Sequence, residues 1–182
     1  MTDVESKKSF KDSKLYTLVD SVVWLIIGAT LAWLYMANVG FIGKIPSESM
    51  LPNYKVGDKI YVNRLGYMSS EPKRLDVIVF KSWEDPSDKY IKRVIGLPGD
   101  VIDIKDGNVI INGETLDERL YTQGNTEKLD DISLADIEYP LTIPDGHYFV
   151  MGDNRESSMD SRVYGLLKEE DIIGKCSFKL NK

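Results

Sequence analysis

Three short segments carry the residue types from which a hydrolytic site could be built. Residues 45–52 read I-P-S-E-S-M-L-P, with Ser47 and Ser49 held between Pro46 and Pro52. Proline fixes φ and removes a backbone donor, so a loop bracketed this way is stiff and presents its hydroxyls in a defined place. A free serine hydroxyl is a weak nucleophile and needs a neighbouring base. Residues 90–95 read Y-I-K-R-V-I. Strand alternation puts Lys92 on one face and Arg93 on the other, so one of these cations must share a face with apolar neighbours. Arg stays charged in such a place, whereas Lys loses its proton readily and then becomes a competent base. Residues 152–162 read G-D-N-R-E-S-S-M-D-S-R, dense in turn formers and alternating charge. Taken singly, each segment also has a plain structural reading: a linker, a lysine stem lying on a sheet, a salt-bridged loop.

Other chemistries find little to work with. The lone histidine, His147, lies in an apolar strand-like run, where a structural role is the ordinary one. There is no H-E-x-x-H, no P-loop and no G-x-G-x-x-G, and the carboxylates are scattered through loops. The single cysteine, Cys176, can make neither an intrachain disulfide nor a Cys-rich zinc site.

The elements that must position these segments fall into two unlike parts. The 182 residues carry a formal charge of −6, which argues against a phosphate-neutralising nucleic-acid binder. A run of 23 uncharged residues spans 21–43 and would reach roughly 34 Å as a helix, enough to cross a bilayer. It is too long for the apolar core of a cleaved signal peptide, and Trp24, Trp33 and Tyr35 suit its interfaces. Lysines 7, 8, 11 and 14 precede the run, and Lys44, Lys55, Lys59 and Arg64 follow it, so the charge count does not orient the span. From residue 44 on, short β-branched runs alternate with turn residues. Strands are expected at 77–80, 90–97, 101–105, 108–111, 147–151 and 175–180. Asp106-Gly107 and Asn112-Gly113 are expected as tight hairpin turns, because both central residues of such turns need φ > 0. Short helices are expected around 133–138 and 167–171. The polar, acidic stretch 114–140 reads as a solvated insertion. The expected architecture is mainly β: an N-terminal transmembrane helix, then an antiparallel β-barrel-like domain.

Together and in this order, the three segments resemble the type I signal peptidase family in its short single-span bacterial form. PSESMLP resembles the family's nucleophile box, YIKRVIGLPGD its lysine box and GDNRESSMDSR its C-terminal box. The resemblance implies Ser49 as nucleophile, Lys92 as general base, and an oxyanion hole formed by the Ser47 hydroxyl and the Ser49 N–H. It implies Ser158 as the hydroxyl that orients the lysine, with Asp153, Asp160 and Arg162 as a supporting network. It places Ile45, Pro46, Met50, Tyr90 and Ile91 in pockets for small substrate side chains at −1 and −3. Asn53-Tyr54 departs from the Thr-Leu of many members. No metal or other cofactor is implied. The implied partners are exported preproteins, the lipid bilayer and the secretion machinery, with no nucleic acid. The implied layout is a cytoplasmic tail at 1–14, an anchor at 15–43 and an extracytoplasmic catalytic domain at 44–182, single-pass in the cell membrane. Three other readings stand beside this one: a catalytically idle chaperone of the same fold, a self-cleaving Ser–Lys repressor-type protease, and an anchored binding module.

Overall fold

The computed structural model describes residues 14–68, 70–127 and 134–180. The chain divides into two units, 1–39 and 40–182. The first is a single helix, α1 (Lys14–Val39). Its stretch Tyr16–Tyr35 has a mean hydropathy of 1.8 and, among the described residues, is the one helix segment long and apolar enough to cross a membrane. Trp24, Leu25 and Trp33 are all exposed, so the helix is apolar all round with nothing in its own unit to bury it. Two of its hydroxyls are satisfied within the helix. Ser21 Oγ donates to the Thr17 carbonyl and Thr30 Oγ1 to the Ile26 carbonyl. The uncharged run outlasts the helix: residues 40–43 are strand.

Among its described residues the second unit holds eleven strands. These are β1 (Gly40–Lys44), β2 (Lys59–Asn63), β3 (Val77–Lys81), β4 (Lys89–Gly96), β5 (Val101–Lys105), β6 (Asn108–Ile111), β7 (Glu114–Thr115), β8 (Leu141–Thr142), β9 (His147–Met151), β10 (Leu167–Lys168) and β11 (Ile172–Lys179). A seven-stranded antiparallel sheet runs β1-β2-β11-β3-β4-β9-β10, and a four-stranded one runs β7-β6-β5-β8. The mainly β expectation holds, with the strands in two sheets. Asp106 and Gly107 both take positive φ and join β5 to β6, and Asn112 and Gly113 do the same between β6 and β7. No helix forms at 134–138, and residue 133 lies outside the described residues. Around 167–171 the chain forms β10 and then a 3-10 turn (Glu169–Asp171).

The large sheet is covered on both faces, which explains why β3 is continuously apolar rather than alternating. Val77 and Val79 pack with Ile45, Met50, Ile60, Val62 and Ile91. Ile78 and Phe80 pack on the opposite side with Val94, Tyr148 and Val150. A third cluster joins Ile95, Phe149 and Met151 of the large sheet to Ile102, Val109 and Ile111 of the small one. Gly96 permits that docking: a Cβ there would lie 2.3 Å from Ile143 Cδ1. The central pair β3–β4 sets Ile78 opposite Lys92. The chemistry-bearing lysine thus sits mid-strand in the most buried part of the sheet.

Candidate active site

Lys92 is carried by β4 and is only 5% exposed. Its Nζ lies 2.9 Å from Ser49 Oγ, a residue 43 positions away in the stiff loop after β1. Burial pulls the Lys92 amine down from its ordinary value to about 8; the Asp160 carboxylate opposes that shift and Arg162 adds to it. Ser47 Oγ is 3.3 Å from Ser49 Oγ. Among the described residues, none accepts from the Ser49 N–H. A hydroxyl beside an amine that burial makes easier to deprotonate, with an adjacent hydroxyl and an uncommitted N–H, is an arrangement capable of acyl transfer.

The loop of Ser49 is pinned from the 152–162 segment. Asn154 N donates to the Ser49 carbonyl at 3.0 Å, and Asn154 Nδ2 to the Glu48 carbonyl at 3.2 Å. Gly152 is required for this closeness, because a Cβ there would fall 2.2 Å from Ser158 Oγ and 2.5 Å from the Ser49 carbonyl oxygen. The segment is organised around Asp160, which is fully buried. Asp160 caps α2 (Ser161–Tyr164) by accepting from Arg162 N. It also accepts from Arg162 Nε, Gly152 N and Ser158 Oγ at 2.9, 3.0 and 2.8 Å. Burial alone would raise the Asp160 carboxyl; the bonds and charge of Arg162, the Gly152 N–H and the Lys92 charge together outweigh it and hold it below its ordinary value. Asp153 pairs with Arg93, next to Lys92, through Nε at 2.8 Å and Nη2 at 2.6 Å.

A cavity of about 440 Å³ opens onto Ser49 and Lys92 and is lined in part by Pro46, Ser47, Tyr90, Ile91 and Tyr164. A second, of about 310 Å³, shares Pro46, Tyr90 and Ile91 and adds Ile45, Ile60 and Val79. Four of the five expected pocket residues therefore line one cavity or both. Met50 lines neither and is fully buried in the core. Ser158 lies against Gly152, but its described hydrogen bond goes to Asp160 rather than to Lys92. His147 opens β9, its Nδ1 3.0 Å from the Asp145 carbonyl, and lines neither cavity.

Sequence reading missed Asn154, Arg155, Asn53 and Glu118. Asn53 Nδ2 donates to Asp153 Oδ2 at 2.8 Å and to the Tyr121 carbonyl at 2.7 Å, so a residue noted only as a family departure ties two of the three boxes together. The stretch 114–140 is not simply solvated: Glu118 pairs with the buried Arg155. Spacing gave no signal for these contacts, which close between residues tens of positions apart.

Comparison with known proteins shows the family of the chain. The family described as "Signal peptidase, peptidase S26" matches residues 17–180. "Signal peptidase IB" of Staphylococcus aureus (strain Mu50) is 39% identical over 145 residues, 74% of this chain and 74% of the relative. "Probable signal peptidase I-2" of Synechocystis is 32% identical over 164 residues, 84% of this chain and 71% of the relative. A crystal structure of a signal peptidase I from Enterococcus faecalis V583 is 34% identical, with a TM-score of 0.46, and covers 59% of this chain and 98% of that one. With a family match over nearly the whole length and relatives named for the activity, this chain belongs to the signal peptidase family, peptidase S26, and is a signal peptidase.

Proposed function

We propose that the chain is a membrane-anchored serine endopeptidase that removes signal peptides after small-x-small sites, with Ser49 as nucleophile and Lys92 as general base. The observation that carries the reading is the 2.9 Å contact between Ser49 Oγ and a buried lysine amine. In its neutral form Lys92 takes the Ser49 proton as Oγ attacks the scissile carbonyl carbon. The oxyanion is held by the Ser49 N–H and the Ser47 hydroxyl, each donor worth about 3–4 kcal/mol in comparable sites. The lysinium then protonates the leaving amine as the C–N bond breaks. Water, deprotonated by the same Lys92, attacks the acyl-enzyme, and the proton returns to Ser49 as the signal peptide leaves. Asp160 and Arg162 fix the loop behind the dyad, and Ser158 acts through Asp160. The two cavities take the small −1 and −3 side chains. In this reading, α1 is the anchor, the residues before it face the cytoplasm, and the β unit works on the extracytoplasmic side of the cell membrane.

The test is cleavage, in detergent, of a synthetic precursor carrying Ala at −3 and −1. Wild type cuts at that site, His147→Ala cuts equally well, and Ser49→Ala and Lys92→Ala do not. A folded wild type that leaves several such precursors intact would transfer support to the idle-chaperone reading.

A further inference from the structure

The stretch 117–126 lies outside all three sequence boxes, yet it grips the site from behind on two arms. On the first arm, Glu118 is bidentate on Arg155: Nη1 donates to Oε2 at 2.7 Å, and Nη2 to Oε1. Arg155 is 1% exposed, and its Nη1 also donates to Thr126 Oγ1 at 2.5 Å. The same guanidinium donates from Nε to the Gly152 carbonyl at 3.0 Å. Gly152 is the residue whose bare Cα lies against Ser158 and the Ser49 carbonyl. The main chain of Gln123 completes this arm: its N–H donates to the Asp153 carbonyl at 2.7 Å and its carbonyl accepts from Arg155 N at 2.9 Å. On the second arm, the Tyr121 ring sits 4.6 Å from the guanidinium of Arg93, the immediate neighbour of Lys92. The Tyr121 carbonyl accepts from Asn53, in the loop that follows Ser49. Tyr121 OH donates to Glu118 Oε1 at 3.1 Å, which joins the two arms.

We propose that residues 118–126 form a positioning brace, in which Glu118 and Tyr121 hold the loop of Ser49 and the strand of Lys92 in mutual register for proton transfer. The proposal rests on the Ser49–Lys92 reading above. Neither brace residue lines either cavity, so neither touches substrate there. Their effect is geometric: a displacement of about 1 Å originating far from the chemistry can cost about a hundredfold in rate. The buried Arg155 supplies the rigidity, because a charge taken out of water is held firmly by a carboxylate that neutralises it, here Glu118.

The experiment uses the full chain in detergent and the Ala-x-Ala precursor, with kcat, KM, the pH profile of kcat/KM and urea unfolding measured together. Glu118→Gln keeps the shape and removes the charge. It is expected to lower kcat by about tenfold, with KM within about twofold of wild type. The charges facing Lys92 are Asp160, Arg162 and Asp153, all from the braced segment. A loosened segment admits water to the amine, so the pH midpoint moves to the alkaline side, a change that partial unfolding alone does not produce. Arg119→Ala, at an exposed neighbour whose ion pair among the described residues is with Asp117, retains wild-type kinetics. Glu118→Leu with Arg155→Met replaces the buried pair by apolar groups; it regains stability but not kcat. Any of three results overturns the brace: Glu118→Gln at full kcat, a loss matching only its unfolded fraction with an unmoved midpoint, or a double variant that recovers kcat along with stability. Ser49→Ala is run in parallel. If it cleaves like wild type, the dyad itself fails; if it is inactive while Glu118→Gln is fully active, only the brace fails.

Discussion

Replacing Lys92 with methionine should make the protein more stable at neutral pH, although it should abolish cleavage. The amine titrates at about 8 in the folded chain against 10.5 in a free side chain. That difference corresponds to about 3 kcal/mol disfavouring the charged, folded form. The sign follows from proton binding. Between pH 8 and 10.5 the unfolded chain holds the proton that the folded one has released, so wild-type stability rises with pH across that window. Below pH 8 both states are protonated and the full penalty applies. Methionine is similar in length and carries no charge to desolvate, so it removes the penalty. It forfeits the contact with Ser49 Oγ, worth about 1 kcal/mol. The net gain near pH 7 is about 2 kcal/mol, or roughly 4–8 °C in Tm for a chain of this size. Above pH 10.5 the gain vanishes and the variant becomes the less stable by about 1 kcal/mol. Urea unfolding followed by near-ultraviolet circular dichroism, from pH 6.5 to 10.5, measures this. A variant no more stable than wild type at pH 7, or a gap that stays constant with pH, would refute the picture of a desolvated amine.

Gly152→Ala places a Cβ 2.2 Å from Ser158 Oγ and 2.5 Å from the Ser49 carbonyl. It should cut kcat by about tenfold or more while leaving the protein folded, as steady-state kinetics and circular dichroism would show. Asp160→Asn leaves Arg162 buried without a counter-charge and should cost about 3–5 kcal/mol in urea unfolding. Because the Asp160 charge favours protonated Lys92, the same variant should move the midpoint of its residual activity to more acid pH. Ile91→Trp fills space shared by both cavities and should raise KM for Ala-x-Ala precursors far more than for substrates with Gly at both positions.

Much of the frame was legible because local chemistry dictates it. Asp106-Gly107 and Asn112-Gly113 demanded positive φ and became hairpin turns at their expected places. β5, β6 and β9 formed with the expected bounds. β1 and β2 were not legible. β1 is hidden in the uncharged run that continues from α1, and β2, although Gly57-Asp58 turns the chain into it, is only five residues long. The Ser and Lys boxes could be singled out, since two prolines and an apolar strand are local features. The contacts behind them could not: Arg155 reads as one more charge in a polar loop, and only the fold reveals that it is buried against Glu118. Sequence alternation showed that Lys92 or Arg93 must be buried, and packing decided it, with Lys92 enclosed and Arg93 held at the margin by Asp153.

The most direct test of the Ser49–Lys92 account is the pH dependence of kcat/KM for the Ala-x-Ala precursor, measured on wild type beside Lys92→Ala. The prediction is a wild-type rate that rises through neutral pH with a midpoint near 8, and no measurable cleavage by the variant at any pH. A wild-type rate flat from pH 6 to 10, or a variant that cleaves with the wild-type profile, would contradict it.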